Sequence, residues 1–182
     1  LEGVACEAAV LSGLARARAA LEDAGAEVVE VDLDLWDPGR ARRAGLLWVE
    51  AEGAVALSDV RETPGAISDA LAAMLRYGAE APSGRVVEAL TRLRAAGACA
   101  ARALAEVDAL LLPTAPQRAF RFGDPIPANQ ADLTALANFG GLPAVALPVA
   151  AEDGGPPASV QLIGPAWSEA RLTEWAEALA PR

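Results

Sequence analysis

At 182 residues, with a hydrophobic fraction of 53% and 4% aromatics, the chain has apolar material for one compact domain or a large piece of one, which excludes a disordered class. Its formal net charge is −10, and all fifteen basic residues are arginines, with no lysine and no histidine. Such an acidic surface argues against binding nucleic acid or an anionic membrane.

The elements follow in chain order. Cys6 to Asp23 reads as a helix with apolar residues at Val10, Leu11, Leu14, Ala17 and Leu21 and a stop at Gly25. Ala26 to Leu33 alternates in the manner of a half-buried strand. Asp37-Pro38 is a helix start, since the carboxylate accepts from orphan amides and proline at the first helical position loses no useful donor. That helix is expected to turn Leu46, Leu47, Val49 and Val55 inward. Thr63-Pro64 repeats the signal and opens a segment through Leu71, Met74 and Leu75 to Gly78. Ser83 caps a long helix through Val87, Leu90, Leu93 and Leu104.

Past Val107 the pattern changes. Ala109 to Leu112 is a short apolar run closed by Pro113, the mark of a strand buried on both faces. Residues 113–131 are irregular, with Pro116, Gly123, Pro125 and Pro127. A loop of that length has a function or wraps a neighbour. A short helix is expected from Asp132 to Phe139. Strands at Ala144 to Val149 and Ser159 to Ile163, joined by a turn rich in glycine and proline, should pair as a hairpin. Ser168 then caps a final amphipathic helix with Leu172, Trp175 and Leu179 on one face. The whole reads as α/β, a mixed sheet with helices on both faces, forming a single region over 1–182.

The absences restrict the chemistry. Without histidine, neither a Ser-His-Asp nor a Cys-His arrangement can be assembled here. Without lysine there is no Ser-Lys pair or Schiff base, and arginine does not deprotonate to act as a base. Cys6 and Cys99 are far apart, which speaks against a disulfide framework or a thiolate metal site and for two buried, reduced thiols. No metal and no cofactor is expected. No apolar run nears the roughly 18 residues of a membrane span and no secretory signal is visible, so a cytoplasmic location is expected. A helix followed by Gly25 and a strand ending in Asp32 suggests half of a dinucleotide-binding unit, but the upstream strand and the GxGxxG fingerprint are missing. A paired-carboxylate site is the other internal option, and the acidic residues fall instead at helix ends and beside arginines.

The most specific feature is Asn138-Phe139-Gly140-Gly141-Leu142-Pro143-Ala144-Val145-Ala146-Leu147-Pro148-Val149, followed after a turn by Val160-Gln161-Leu162-Ile163-Gly164-Pro165. This resembles the carboxyl-terminal signature of the amidase-signature family, in which a T-x-x-x-N-x-x-G-L-P-A-x-x-x-P run leads to a V-Q-L-I-G-P strand and a closing helix. Thr134, Asn138, Gly141, Leu142, Pro143, Ala144 and Pro148 fall on that pattern without a gap. Asp108 to Pro116 is similar to the family's strand that exits into a pocket-lining loop, and the first helix with its Gly25 to Val28 strand resembles the element after the catalytic region. The likeness is strong from Asp108 onward and weak between Asp37 and Glu106.

What the resemblance implies is a half-site. The family's nucleophilic serine, bridging serine, lysine base and oxyanion loop lie in its amino-terminal half, and no GSSG-type run stands here to receive them. No catalytic residue is therefore assigned in this chain. Its implied role is to complete the sheet and wall the pocket of an enzyme hydrolysing a carboxamide. A glutamine-amidotransferase subunit passing ammonia to a partner, or a silent binding and assembly module, are the rival readings. The implied partners are a small-molecule amide and the absent amino-terminal half; the first residue, Leu1, is not a methionine, in keeping with a fragment. Without that half the strands want neighbours, so a homo-oligomer is also expected.

The pocket candidates are Thr114, Asp132, Thr134, Asn138, Gly140 and Gly141. Asn138 either faces substrate or caps its helix ahead of the glycines. Gly140 and Gly141 either let the backbone approach the site or only turn the chain. Thr114 sits at a strand exit, where α/β ligands bind, or bonds local backbone. Asp132 either meets a substrate amine or caps a helix, and Gln161 is read as a strand residue bonded to a neighbouring loop.

Overall fold

A computed structural model describes residues 3–179. Seven helices and three strands occur among them: α1 (Ala8–Asp23), α2 (Pro38–Ala56), α3 (Ser58–Arg61), α4 (Asp69–Glu80), α5 (Ser83–Ala103), β1 (Leu110–Pro113), α6 (Ala135–Gly140), β2 (Ala144–Val149), β3 (Ala158–Ile163) and α7 (Glu169–Leu179). The expected hairpin is present: β2 and β3 pair antiparallel from Ala144 opposite Ile163 to Val149 opposite Ala158. β1 pairs antiparallel with the other side of β3, Leu110 opposite Ile163, so the sheet order is β1-β3-β2.

Alternation along β3 assigns the layers. Ala158, Val160 and Leu162 are buried on one face, where a Cβ placed at Gly13 of α1 would meet Ala158 at 3.0 Å and Val149 at 3.7 Å. α1 and α7 pack together on this side. Ser159, Gln161 and Ile163 lie on the other, where Ile163 joins Leu110, Ala96, Ala100, Ala103, Leu104, Leu136 and Ala137 in the main core. Helices therefore cover both faces, as expected of an α/β layer, while the sheet of the described strands is antiparallel throughout and not mixed. Beyond α6 lies a helical layer in which α2 packs on α4 and, through Ala44, Leu47, Ala89 and Leu93, on α5.

Small residues set the spacing of that layer. A Cβ at Gly78 of α4 would lie 2.2 Å from the Glu50 carbonyl carbon, and one at Gly45 of α2 would lie 2.9 Å from the Phe139 ring. This close approach reverses one expectation. Leu47 turns inward, but Leu46, Val49 and Val55 are exposed, because the inner stripe of α2 is built from Ala41, Ala44, Gly45 and Ala54. Val87 and Met74 likewise face outward, while Leu75 and Leu93 are buried.

Other departures concern the ends of elements. The strand expected over 26–33 does not form: the segment pairs with neither edge of the sheet, and Val29 and Val31 are exposed. Alternation alone cannot make a strand without a partner to receive its backbone hydrogen bonds. The dinucleotide reading, which needed that strand, loses its support.

Asp37 does cap α2, its side chain accepting from the Arg40 amide. Thr63 starts no helix; its hydroxyl donates to the Asp59 carbonyl, and the Ser68 side chain caps α4 through the Leu71 amide. Pro82, not Ser83, holds the N-cap of α5 and supplies no side-chain bond. Ser168 precedes α7, yet its buried hydroxyl has no partner, being turned toward Gly164, where an added Cβ would stand 2.2 Å from it. Cys99 is buried and free; Cys6 is free but only half-buried.

Candidate functional site

Gln161 organises the region that the sequence singled out. It is buried on β3, on the face opposite α1, and its Nε2 donates to the carbonyls of Pro113 and Leu133, at 3.1 Å each. The strand exit and the turn entering α6 are thereby tied to one amide, which confirms the strand-to-loop bond read for Gln161. Buried polar groups persist where both donor protons find acceptors, as here.

Thr114, one residue beyond β1, continues the ladder. Its amide donates to the Ser159 carbonyl at 2.8 Å, and its hydroxyl lies 2.8 Å from the Ser159 hydroxyl. The hydroxyl therefore does not bond local backbone, as one reading of the sequence had it, but pairs with a side chain 45 positions away that the sequence reading missed. Ser159 shares its parity with Gln161 on β3, and that was the available signal.

Asp132 lies on the other side of the Leu133 carbonyl. It is not a helix cap: the N-cap of α6 is Thr134, without a side-chain bond, and the Asp132 carboxylate receives Arg42 Nε from α2 at 2.6 Å. The reason is burial. The carboxylate is 10% exposed, and a buried carboxylate needs a charged or multiply donating partner, which the guanidinium supplies. Arg42 carried no signal in the sequence, since the two residues are 90 positions apart.

Thr134 Oγ donates to the Ala131 carbonyl at 3.4 Å, and Asn138 Nδ2 donates back to the Thr134 carbonyl at 3.3 Å. Asn138 is exposed and does not take the left-handed cap. That position belongs to Gly141, at φ 60° and ψ 37°, whose amide reaches the Ala137 and Asn138 carbonyls. Gly140 is a packing residue, for a Cβ there would meet Leu142 at 2.7 Å.

These residues gather into a band: Thr114 and Ser159 at one end, Asp132 and Thr134 around the Gln161 amide, and Asn138 to Gly141 leading into β2. On the Gln161 face of the sheet Ala144, Ala146 and Pro148 of β2 are exposed. Apart from Asp132, which is paired with Arg42, the band presents small, uncharged groups; it contains hydroxyls, but neither lysine nor histidine stands beside them, since the chain has none.

Among the described residues no group of three or more Cys, Asp or Glu converges to hold a metal ion, and no helix is long and apolar enough to cross a membrane. Two shallow surface concavities, one lined by Arg61, Arg76 and Glu80 and the other by Trp48, Val55 and Val86, include none of the candidate residues.

Comparison with known proteins bears on the family and the fold. A family model described as Amidase matches residues 2–173. A glutamyl-tRNA(Gln) amidotransferase subunit of Campylobacter concisus is 40% identical over 80 residues, or 42% of this chain and 18% of the relative. Its counterpart in Hahella chejuensis is 49% identical over 75 residues, covering 38% of this chain and 15% of the relative.

Among solved structures, an amidase superposes with a TM-score of 0.82 at 24% identity, covering 98% of this chain and 43% of that one. The corresponding glutamyl-tRNA(Gln) amidotransferase protein from Thermotoga maritima superposes with a TM-score of 0.74 at 22% identity, covering 97% and 40%. At these identities the structural likeness is one of fold, and the chain spans less than half the length of those structures. With the family model matching nearly its whole length, the chain belongs to the amidase family.

Proposed function

We propose that this chain is the carboxyl-terminal region of an amidase that hydrolyses a carboxamide C–N bond through a serine acyl-enzyme. It supplies sheet and pocket wall, while the serine–serine–lysine machinery stands in an amino-terminal half outside this sequence. The observation that carries the reading is the family match over residues 2–173 in a chain without lysine or histidine. The chain belongs to the amidase family, yet it contains no lysine or histidine to activate a hydroxyl.

In this reading each residue of the band has a positional task. Gln161 holds the strand exit and the entry to α6 at a fixed separation, so that Thr114, Thr134 and Asn138 face the acyl group from a rigid support. Gly140 and Gly141 keep the wall free of side chains where the backbone comes nearest the reacting centre. The exposed Ala144, Ala146 and Pro148 on the Gln161 face of β2 provide an apolar surface for the absent half to cover.

The test is direct. The residues upstream of Leu1 should contain a lysine followed by a GGSSGG-like stretch. The 182-residue chain alone should release no ammonia from simple carboxamides, whereas the complete protein should. A complete gene product lacking that stretch, or turnover by the short chain abolished by a substitution within it, would refute the proposal. The similarity to amidotransferase proteins favours one second reading, a component that passes ammonia to a partner. Glutaminase activity that appears only with a partner protein would select it.

A further inference from the structure

We infer that Asp132 is a positioning residue whose carboxylate is committed to Arg42, so that the pocket wall built by this chain carries no charge and takes amides that are neutral on that side. The inference rests on the amidase reading and narrows its substrate class.

The geometry separates two roles open to this aspartate. A carboxylate that recognises a substrate amine must stand open to the incoming group and accept the ammonium without disturbing the fold. Asp132 is 7% exposed as a residue, and its Oδ1 takes the Arg42 Nε at 2.6 Å. The Arg42 side chain is itself only 19% exposed. A substrate ammonium drawn to Asp132 would compete with a guanidinium already in place and would leave that guanidinium buried without its partner.

The pair has a structural task instead. Arg42 comes from the first turns of α2, and the adjacent Leu133 carbonyl is held by Gln161 of β3. The Asp132–Leu133 step is therefore pinned from the helical layer on one side and from the sheet on the other, just before α6 presents Asn138. The remaining wall candidates, Thr114, Thr134, Asn138, Gly140 and Gly141, are all uncharged. An ammonium entering beside them finds dipoles but no counter-ion, and desolvation then disfavours it.

The experiment uses the complete protein and two amides of the same shape, isobutyramide and alaninamide, which differ by a methyl group in place of an ammonium. The expected kcat/KM for isobutyramide exceeds that for alaninamide by about tenfold or more. Asp132→Asn, alone or with Arg42→Gln, should lower both by a common factor. Equal turnover of the two amides, with Asp132→Asn abolishing alaninamide hydrolysis alone, would overturn the inference. Hydrolysis of neither amide would count against the amidase reading itself. The pairing is then judged by thermal denaturation of the single and double variants. Losses in Tm that are clearly smaller in the double variant than the two single losses combined support it. Additive losses overturn it.

Discussion

Gly97→Ala is the substitution that most directly tests how this fold supports its candidate site. Gly97 lies within α5, where alanine is the better helix former by about 1 kcal/mol, so local propensity alone predicts stabilisation. Packing predicts the reverse. A Cβ at this position would stand 2.6 Å from the Phe139 carbonyl oxygen and 3.1 Å from both the Phe139 carbonyl carbon and Gly140 Cα.

Ordinary contact begins near 3.4 Å, so α6 must withdraw from α5 by about 0.8 Å. The obstacle is backbone, which cannot rotate aside as a side chain can. Overpacking costs about 1–3 kcal/mol, and against immovable backbone the upper part of that range, about 2–3 kcal/mol, applies, which outweighs the gain in propensity and leaves a net loss of about 1–2 kcal/mol. With a urea dependence of about 2 kcal/mol/M, the unfolding midpoint should fall by about 0.5–1 M.

Gly84→Ala is the matched control, being in the same helix with nothing within 4 Å of the added atom; its midpoint should hold or rise. A Gly97→Ala protein as stable as the parent or the control would show that α6 does not rest on α5 at this distance. The same withdrawal would move Asn138, Gly140 and Gly141 together, so activity of the complete protein should fall with stability.

Two further outcomes are expected. Gln161→Leu keeps the side-chain volume but strands the Pro113 and Leu133 carbonyls without their donor. At about 1–3 kcal/mol for each unsatisfied buried acceptor, it should lower stability more than Thr114→Val, which removes one half-buried hydroxyl, when both are compared by urea denaturation.

The second outcome concerns pH. The Gly155 amide, and then the Arg118 guanidinium, hold the Asp153 carboxyl below its ordinary value, while Arg118 also reaches Glu7. A carboxyl lowered in the folded state stabilises above its unfolded value and loses that contribution as the pH falls through its folded one. The 150–157 turn should thus become more open to proteolysis in acid, below the usual carboxylate range, and Arg118→Gln should open it at neutral pH. A digestion rate that neither acid nor the substitution changes would refute this.

Much of the fold was legible because its signals are local. Asp37 before Pro38, the glycine- and proline-rich turn between β2 and β3, and the alternation through Gln161 each act within a few residues, and the structure obeys them. The Thr134 to Pro148 run was legible for the same reason, as a contiguous turn of helix, a glycine turn and a strand, although the left-handed cap fell to Gly141 and not to Asn138. What failed depended on partners distant in sequence. Residues 26–33 alternate like a strand but have no edge to join, and Leu46, Val49 and Val55 point outward because alanines and glycines made the closer helix contact.

The same division runs through the site. The missing lysine and histidine, without which no Ser-Lys or Ser-His pair can be assembled within this chain, are matters of sequence alone, and no folding could supply them. The role of Asp132 was a matter of tertiary structure. Whether a carboxylate serves as a cap, a substrate counter-ion or one half of a buried ion pair depends on which donor the fold brings within hydrogen-bond reach. Only the packing of α2 beside the turn into α6 placed Arg42 there.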